Sequence, residues 1–137
     1  MGGTMNFPDN MASRIWEHSS MKFYLVPPSD WPQHYCGYVR FENRPVIEPT
    51  YHGIMTYVPV HGGITFANQD EDGSMIYGFD CGHAGDDERP ELRDEEWLGE
   101  ECFRMGRAIQ IAAKYEGAYL ATEGSKERAE VIQTLSR

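Results

Sequence analysis

Two histidines, a cysteine and two aspartates crowd one glycine-rich stretch of this 137-residue chain, and they are the side chains best suited to chemistry. His61-Gly62-Gly63-Ile64-Thr65-Phe66 is followed closely by Gly78-Phe79-Asp80-Cys81-Gly82-His83-Ala84-Gly85-Asp86. Glycine reaches positive φ and lets the backbone approach a ligand or a neighbouring strand. Its mixture with titratable groups suggests a shaped polar site. One reading is a pocket for a small anionic or nucleotide-like ligand, lined by His61, Gly62, Gly63, Asp80, His83 and Asp86. Glycine-flanked amides and imidazoles can donate to phosphate. Arg40 and Arg44, with Arg89 or Arg93, are candidate charge partners, and Tyr38, Tyr57, Phe66 or Tyr77 could stack a base.

The same residues support other chemistries. His61, Asp80, His83 and Asp86 have the right donor types for a divalent ion and metal-assisted hydrolysis, although their spacing matches no hydrolase signature. Cys81 as a nucleophile beside His83 or His61 requires a depressed thiol pKa. A structural zinc on Cys36, His61, Cys81 and His83 is disfavoured, because no two cysteines are closely spaced. In the plainest reading the aspartates hold turns, Cys81 is a buried apolar residue and the histidines are satisfied polar plugs. A calcium loop counted from Asp70 fails, since Met75 and Cys81 stand where Gly and Glu are needed. No phosphate-binding loop, dinucleotide fingerprint or nucleophile elbow occurs. The spacings call for no cofactor and no resident metal, and they single out no catalytic residue.

The elements that must position this stretch are read from periodicity. Pro8-Asp9-Asn10 followed by Met11, Ile15 and Trp16 predicts a short helix ending near His18-Ser19-Ser20. Lys22 to Val26, Tyr35 to Phe41, Ile54 to Val60, Gly63 to Ala67 and Met75 to Asp80 read as strands. Glu42 to Gly53, punctuated by Arg44-Pro45 and Glu48-Pro49, is a candidate binding loop. Asp72-Gly73 turns a hairpin with a wide acidic tip. Leu98, Cys102, Met105, Ile109 and Ala112 recur at steps of four and three, which predicts a helix from about Asp94 to Tyr115. Acidic residues favour its start, Lys114 its end, and Gly117 a cap. A second short helix is expected from Ser125. Strands followed by helices predict an α+β fold, an antiparallel β-sheet with C-terminal α-helices packed on one face. Residues 1–137 read as one domain, with 1–20 an N-terminal extension or short helix, 22–83 the sheet region and 94–137 the helical region.

Composition narrows the partners. The chain is 40% hydrophobic and 12% aromatic, as a folded domain requires. A formal net charge of -10 argues against direct contact with nucleic acid and against anionic membranes. It leaves open an acidic surface that meets a basic protein or mimics nucleic acid. Met1 to Asn10 carry neither a basic region nor an apolar run, so a cytoplasmic location with reduced Cys36, Cys81 and Cys102 is expected. A small sheet packed on one side leaves another face to cover, which suggests a homo-oligomer.

Gly37-Tyr38-Val39, Val60-His61-Gly62-Gly63-Ile64-Thr65-Phe66 and Gly78-Phe79-Asp80-Cys81-Gly82-His83-Ala84-Gly85-Asp86 together resemble a family of small uncharacterised proteins common in bacteriophage genomes. Its members carry similar paired runs and then an acidic helix containing a cysteine. Ile64 and Gly82 depart mildly from the family pattern, and the similarity spans roughly Tyr35 to Phe103. The resemblance implies a phage or prophage accessory protein acting in the bacterial cytoplasm. By analogy with other such proteins, it would counter host defence by sequestering a nucleotide signal or blocking a host protein. It brings no catalytic residues with it.

Overall fold

Three buried strands form the centre of a computed structural model that describes residues 7–30, 33–42, 58–70 and 72–121, the side chains of 113–121 excepted. The strands are β1 (Arg14–His18), β2 (Met21–Val26), β3 (Cys36–Phe41), β4 (Phe66–Gln69) and β5 (Met75–Asp80), followed by the helix α1 (Glu95–Ala121). All pairings are antiparallel and the order across the sheet is β1-β2-β3-β5-β4. The α+β architecture is therefore the one that the pattern of strands and helix predicts.

Period-two alternation gives the sheet two working faces. Met21, Phe23 and Leu25 of β2, Val39 and Phe41 of β3, and Met75, Tyr77 and Phe79 of β5 form one face. Against it lies the stripe of Leu98, Cys102, Met105, Ile109 and Ala112 from α1, all buried. Burying each large side chain contributes roughly 1.5–3 kcal/mol, so this layer carries most of the stability. Gly37 permits the contact, because a Cβ there would run into the Cys102 thiol and the Phe79 ring. Tyr24, Val26, Cys36, Tyr38 and Ile76 form the opposite face, covered by Phe7, Met11, Ala12 and Phe66. Phe7 and Phe66 close on Tyr38, with ring centroids 4.9 and 5.4 Å away. That face is not bare, so the ground on which self-association was expected falls away.

The predicted N-terminal helix is instead β1, a strand that turns into β2 through Ser19 and Ser20, both at positive φ. Ile15 and Trp16 are β-formers, and pairing along β2 satisfies a backbone that a short isolated helix would leave fraying. The sheet thus begins at Arg14, ahead of the expected 22. The strand expected over Gly63 to Ala67 lies at Phe66–Gln69, because Gly62 and Gly63 belong to a turn. Val58 to Val60 are not a strand, and 54–57 fall outside the described residues. So do Arg44, Tyr57, most of the candidate binding loop and the second helix. α1 runs on to Ala121, so Gly117 lies within it and does not cap it. Among the described residues, no helix is long and apolar enough to cross a membrane.

Two features aim the fold at the site. Cys36 pairs with Asp80, and the Tyr35 hydroxyl donates to Glu95 Oε2 at 2.9 Å, so the end of β5 and the start of α1 share one end of the sheet. A 3-10 turn at Asp86–Glu88 and another at Pro90–Arg93 then carry the chain from β5 into α1.

Candidate functional site

The site forms where two turns meet beside α1. After β5, the Cys81 N–H bonds to the Tyr35 carbonyl at 3.0 Å, and the chain bends so that the Asp86 N–H reaches the His83 carbonyl at 3.0 Å. Gly85, with φ 86°, makes that bend without strain. The second turn is fixed by Val58 and Val60, which enter the core, and by the Gly63 N–H, which bonds to the Val60 carbonyl at 2.9 Å. The His61 N–H donates to Glu101 Oε2 at 2.7 Å, tying this turn to the helix.

Asp86 is the hub. Its Oδ2 accepts from His61 Nε2 at 2.9 Å, from the His83 backbone N–H at 2.9 Å and from His83 Nδ1 at 3.1 Å. Burial raises the Asp86 carboxyl, but the His61 hydrogen bond and the two from His83 lower it further, holding it at about 2. An ionised acceptor of this kind sets both tautomers. His61 presents Nε2–H to Asp86 and turns Nδ1 to the Arg89 guanidinium, 3.4 Å away. His83 presents Nδ1–H, leaving Nε2 beside Asp80 Oδ1 at 3.6 Å. Asp80 is itself steadied by the Thr65 hydroxyl at 3.0 Å and the Gly82 N–H at 3.1 Å.

The imidazole rings meet edge to face, their centroids 5.5 Å apart. Gly62 makes this possible, since at φ 70° any Cβ would collide with the His83 ring. The His61 and Asp86 side chains are only 9% and 7% exposed, whereas His83 and Asp80 stand at 36% and 38%. One half of the cluster is anchored and the other meets solvent. One ring nitrogen from each of His61 and His83 and a carboxylate oxygen of Asp86 all lie within 4.8 Å of one another, a donor set able to hold a metal ion.

Of the residues expected to form the site, the structure brings together His61, Gly62, Asp80, His83 and Asp86, with Gly63 completing the turn. It does not bring Arg40. That guanidinium sits on the opposite face of the sheet, where Nε donates to the Tyr24 hydroxyl at 3.0 Å and Nη1 to Asp70 and Ser74 at 2.6 Å each. Burial lowers its pKa, but the hydrogen bonds to Tyr24 and Asp70 raise it more, so Arg40 is a locked structural cation. Tyr38 and Tyr77 are core residues and Phe66 packs on the far face, so these three do not stack a base, and Tyr57 lies outside the described residues. Cys81 is buried, and burial pushes its thiol up to about 12, the reverse of what a nucleophile requires. A cavity of about 100 Å³ behind Asp86, lined by His34, Tyr35, Cys81, Leu92 and Arg93, is too small for a nucleotide.

Two participants were not anticipated as such. Arg89 was one of several candidate cations, and only contact with His61 singles it out. Glu101 had a legible signal: it lies three after Leu98 and four before Met105, so it interrupts an apolar helix face and is only 5% exposed. No protein-family model matches this chain, and neither does any curated protein or solved structure.

Proposed function

We propose that His61, His83 and Asp86 bind a divalent transition metal and that the protein uses it to hydrolyse a small anionic substrate. The observation that supports this is the spacing of the donors. Metal–ligand bonds of about 2.0–2.1 Å in a tetrahedral shell put neighbouring ligand atoms about 3.3 Å apart. The two separations centred on Asp86 Oδ2 are 2.9 and 3.1 Å. Two imidazoles and one carboxylate leave coordination positions open, as hydrolytic metal sites require. The half-exposed side of His83 and Asp80 faces where substrate would arrive, and Asp80 stands close enough to orient a water. Metal binding requires both imidazoles to give up the N–H that faces Asp86. His61 then carries its proton on Nδ1 and His83 on Nε2 beside Asp80 Oδ1 at 3.6 Å, with Arg89 kept by its existing partner Glu91 at 2.8 Å.

Capture of an intact anionic ligand at the same residues is the second reading, favoured by the Arg89 guanidinium beside His61. In the phage setting that the sequence resemblance implies, either activity would act on a host small molecule in the cytoplasm. Calorimetric titration of chelator-treated protein with zinc tests the metal directly, with binding of one ion per chain expected. Incubation with phosphate esters and nucleotides then separates the readings: a hydrolase consumes substrate and is silenced by chelator, whereas a binder returns its ligand intact. Absence of zinc binding, with the His61 and His83 resonances unmoved, would end the metal reading.

A further inference from the structure

Among the described residues β1 is an edge strand, and the two-residue turn at Ser19 and Ser20 fixes which of its groups point outward. His18 and Met21 close that hairpin, and closing pairs exchange both hydrogen bonds. Alternation along the strand therefore turns the backbone N–H and C=O of Ile15 and Glu17 away from β2. Ile15 is 42% exposed, the exposed large hydrophobic among the described residues. Natural edges are usually blunted by lysine, proline or a covering segment. β1 carries no lysine or proline.

Beside this edge runs a groove of about 720 Å³ between β1 and the first turns of α1. Its apolar walls include Trp16, Trp97 and Phe103, and its rim includes Glu96 and Glu100, both exposed on α1. Among the described residues no cation pairs with those two glutamates. The two arginines present are otherwise engaged, Arg104 with Glu101 at 2.9 Å and Arg14 with the Glu95 carbonyl at 3.3 Å. Arg14 also lies over the Trp16 ring at 4.8 Å, which shows the kind of group this surface accepts.

We propose that the β1 edge and this groove bind an extended basic segment of a partner protein. The segment adds as a sixth strand against β1, the outward amides of Ile15 and Glu17 supplying main-chain hydrogen bonds. Alternate lysine or arginine side chains then settle beside Glu96 and Glu100 over the aromatic walls, so charge complementarity selects the occupant. This surface is independent of the metal reading.

A synthetic peptide of alternating lysine and leucine, titrated into the full chain, tests the proposal by fluorescence of the groove tryptophans. Saturable binding that weakens as salt is raised is expected. Ile15→Pro removes only an outward N–H and is tolerated on an edge; it should weaken binding about tenfold or more by deleting main-chain bonds. Glu96→Lys with Glu100→Lys, both at exposed positions, should do the same through charge repulsion, about tenfold or more. Unchanged circular dichroism would show that each variant is folded, and the helix variant decides alone if the proline variant is not. No saturable binding, or binding that the folded variants leave intact, overturns the proposal. So does a dimer of the chain itself that Ile15→Pro disperses, which would assign the edge to a second copy.

Discussion

Two polar clusters flank the sheet, and each is organised around one buried ion. Arg40 on one face spends its donors on Tyr24, Asp70 and Ser74, with Asp9 at 3.6 Å. Asp86, in the turn beyond β5, collects three N–H donors from His61 and His83. The first cluster is closed: it ties the N-terminal segment and the β4–β5 hairpin to β3, and its guanidinium is fully engaged by described neighbours. The second is closed only at its hub, because His83 and Asp80 remain more than a third exposed. A satisfied network fixes a fold, whereas one with a satisfied centre and an open rim can also do chemistry.

The largest expected effect breaks the closed cluster. Arg40→Met should cost about 3 kcal/mol in chemical denaturation, since it strands Asp70 and the Tyr24 hydroxyl. Zinc affinity per folded molecule should be unchanged. If Arg40→Met instead removed metal binding while the fold held, the contrast between the clusters would collapse.

The two histidines sharpen the contrast within the open cluster. His83→Ala should lower zinc affinity about 100-fold, equivalent to about 2.7 kcal/mol, with little change in melting temperature. His61→Ala should lose a comparable affinity and also cost about 1–3 kcal/mol of stability, because its buried ring leaves an Asp86 donor unreplaced, whereas water can take the place of the more exposed His83 ring. Paired melts and titrations of both variants check this. Equal melting would mean that burial does not separate their roles.

Gly62→Ala should destabilise by about 1–3 kcal/mol through a left-handed backbone and a collision with His83. Denaturant midpoints measure the loss, and the double variant with His83→Ala should recover part of it if the collision is the cause.

The gentlest probe is acid. Asp86 has its folded pKa depressed from 3.8 to about 2, so its stabilisation is full above 3.8 and disappears as pH falls through about 2. Stability of the wild type should therefore slope downward over that window. Asp86→Asn, folded but unable to titrate, should show a flatter slope. An identical acid limb would remove the hub role from Asp86.

Much of the frame was legible in the chain itself. Met75 to Asp80 alternates cleanly and is β5 to the residue, β2 begins one residue before its expected start, and the four-three stripe of Leu98 to Ala112 is the buried face of α1. The first strand was misjudged because Met11, Ile15 and Trp16 satisfy a helical spacing over too short a span to exclude a strand. The polar stretch at His61–Asp86 was visible from residue types alone.

What the chain alone could not show is which polar groups meet. Periodicity assigns a residue to a face, but strand order and register decide its neighbours. Arg40 and Asp86 both looked like members of one site, and only the tertiary structure separates them, with Arg40 held by Tyr24 on one face of the sheet and Asp86 in the turn beyond the end of β5. Glu101 reaches the His61 amide across 40 residues of sequence, and Arg89 reaches its ring across 28. Local propensity carries no information about contacts at such separations. They exist because burying the apolar stripe of α1 against the sheet brings the two turns together, and the polar groups then pair at the positions that packing leaves them.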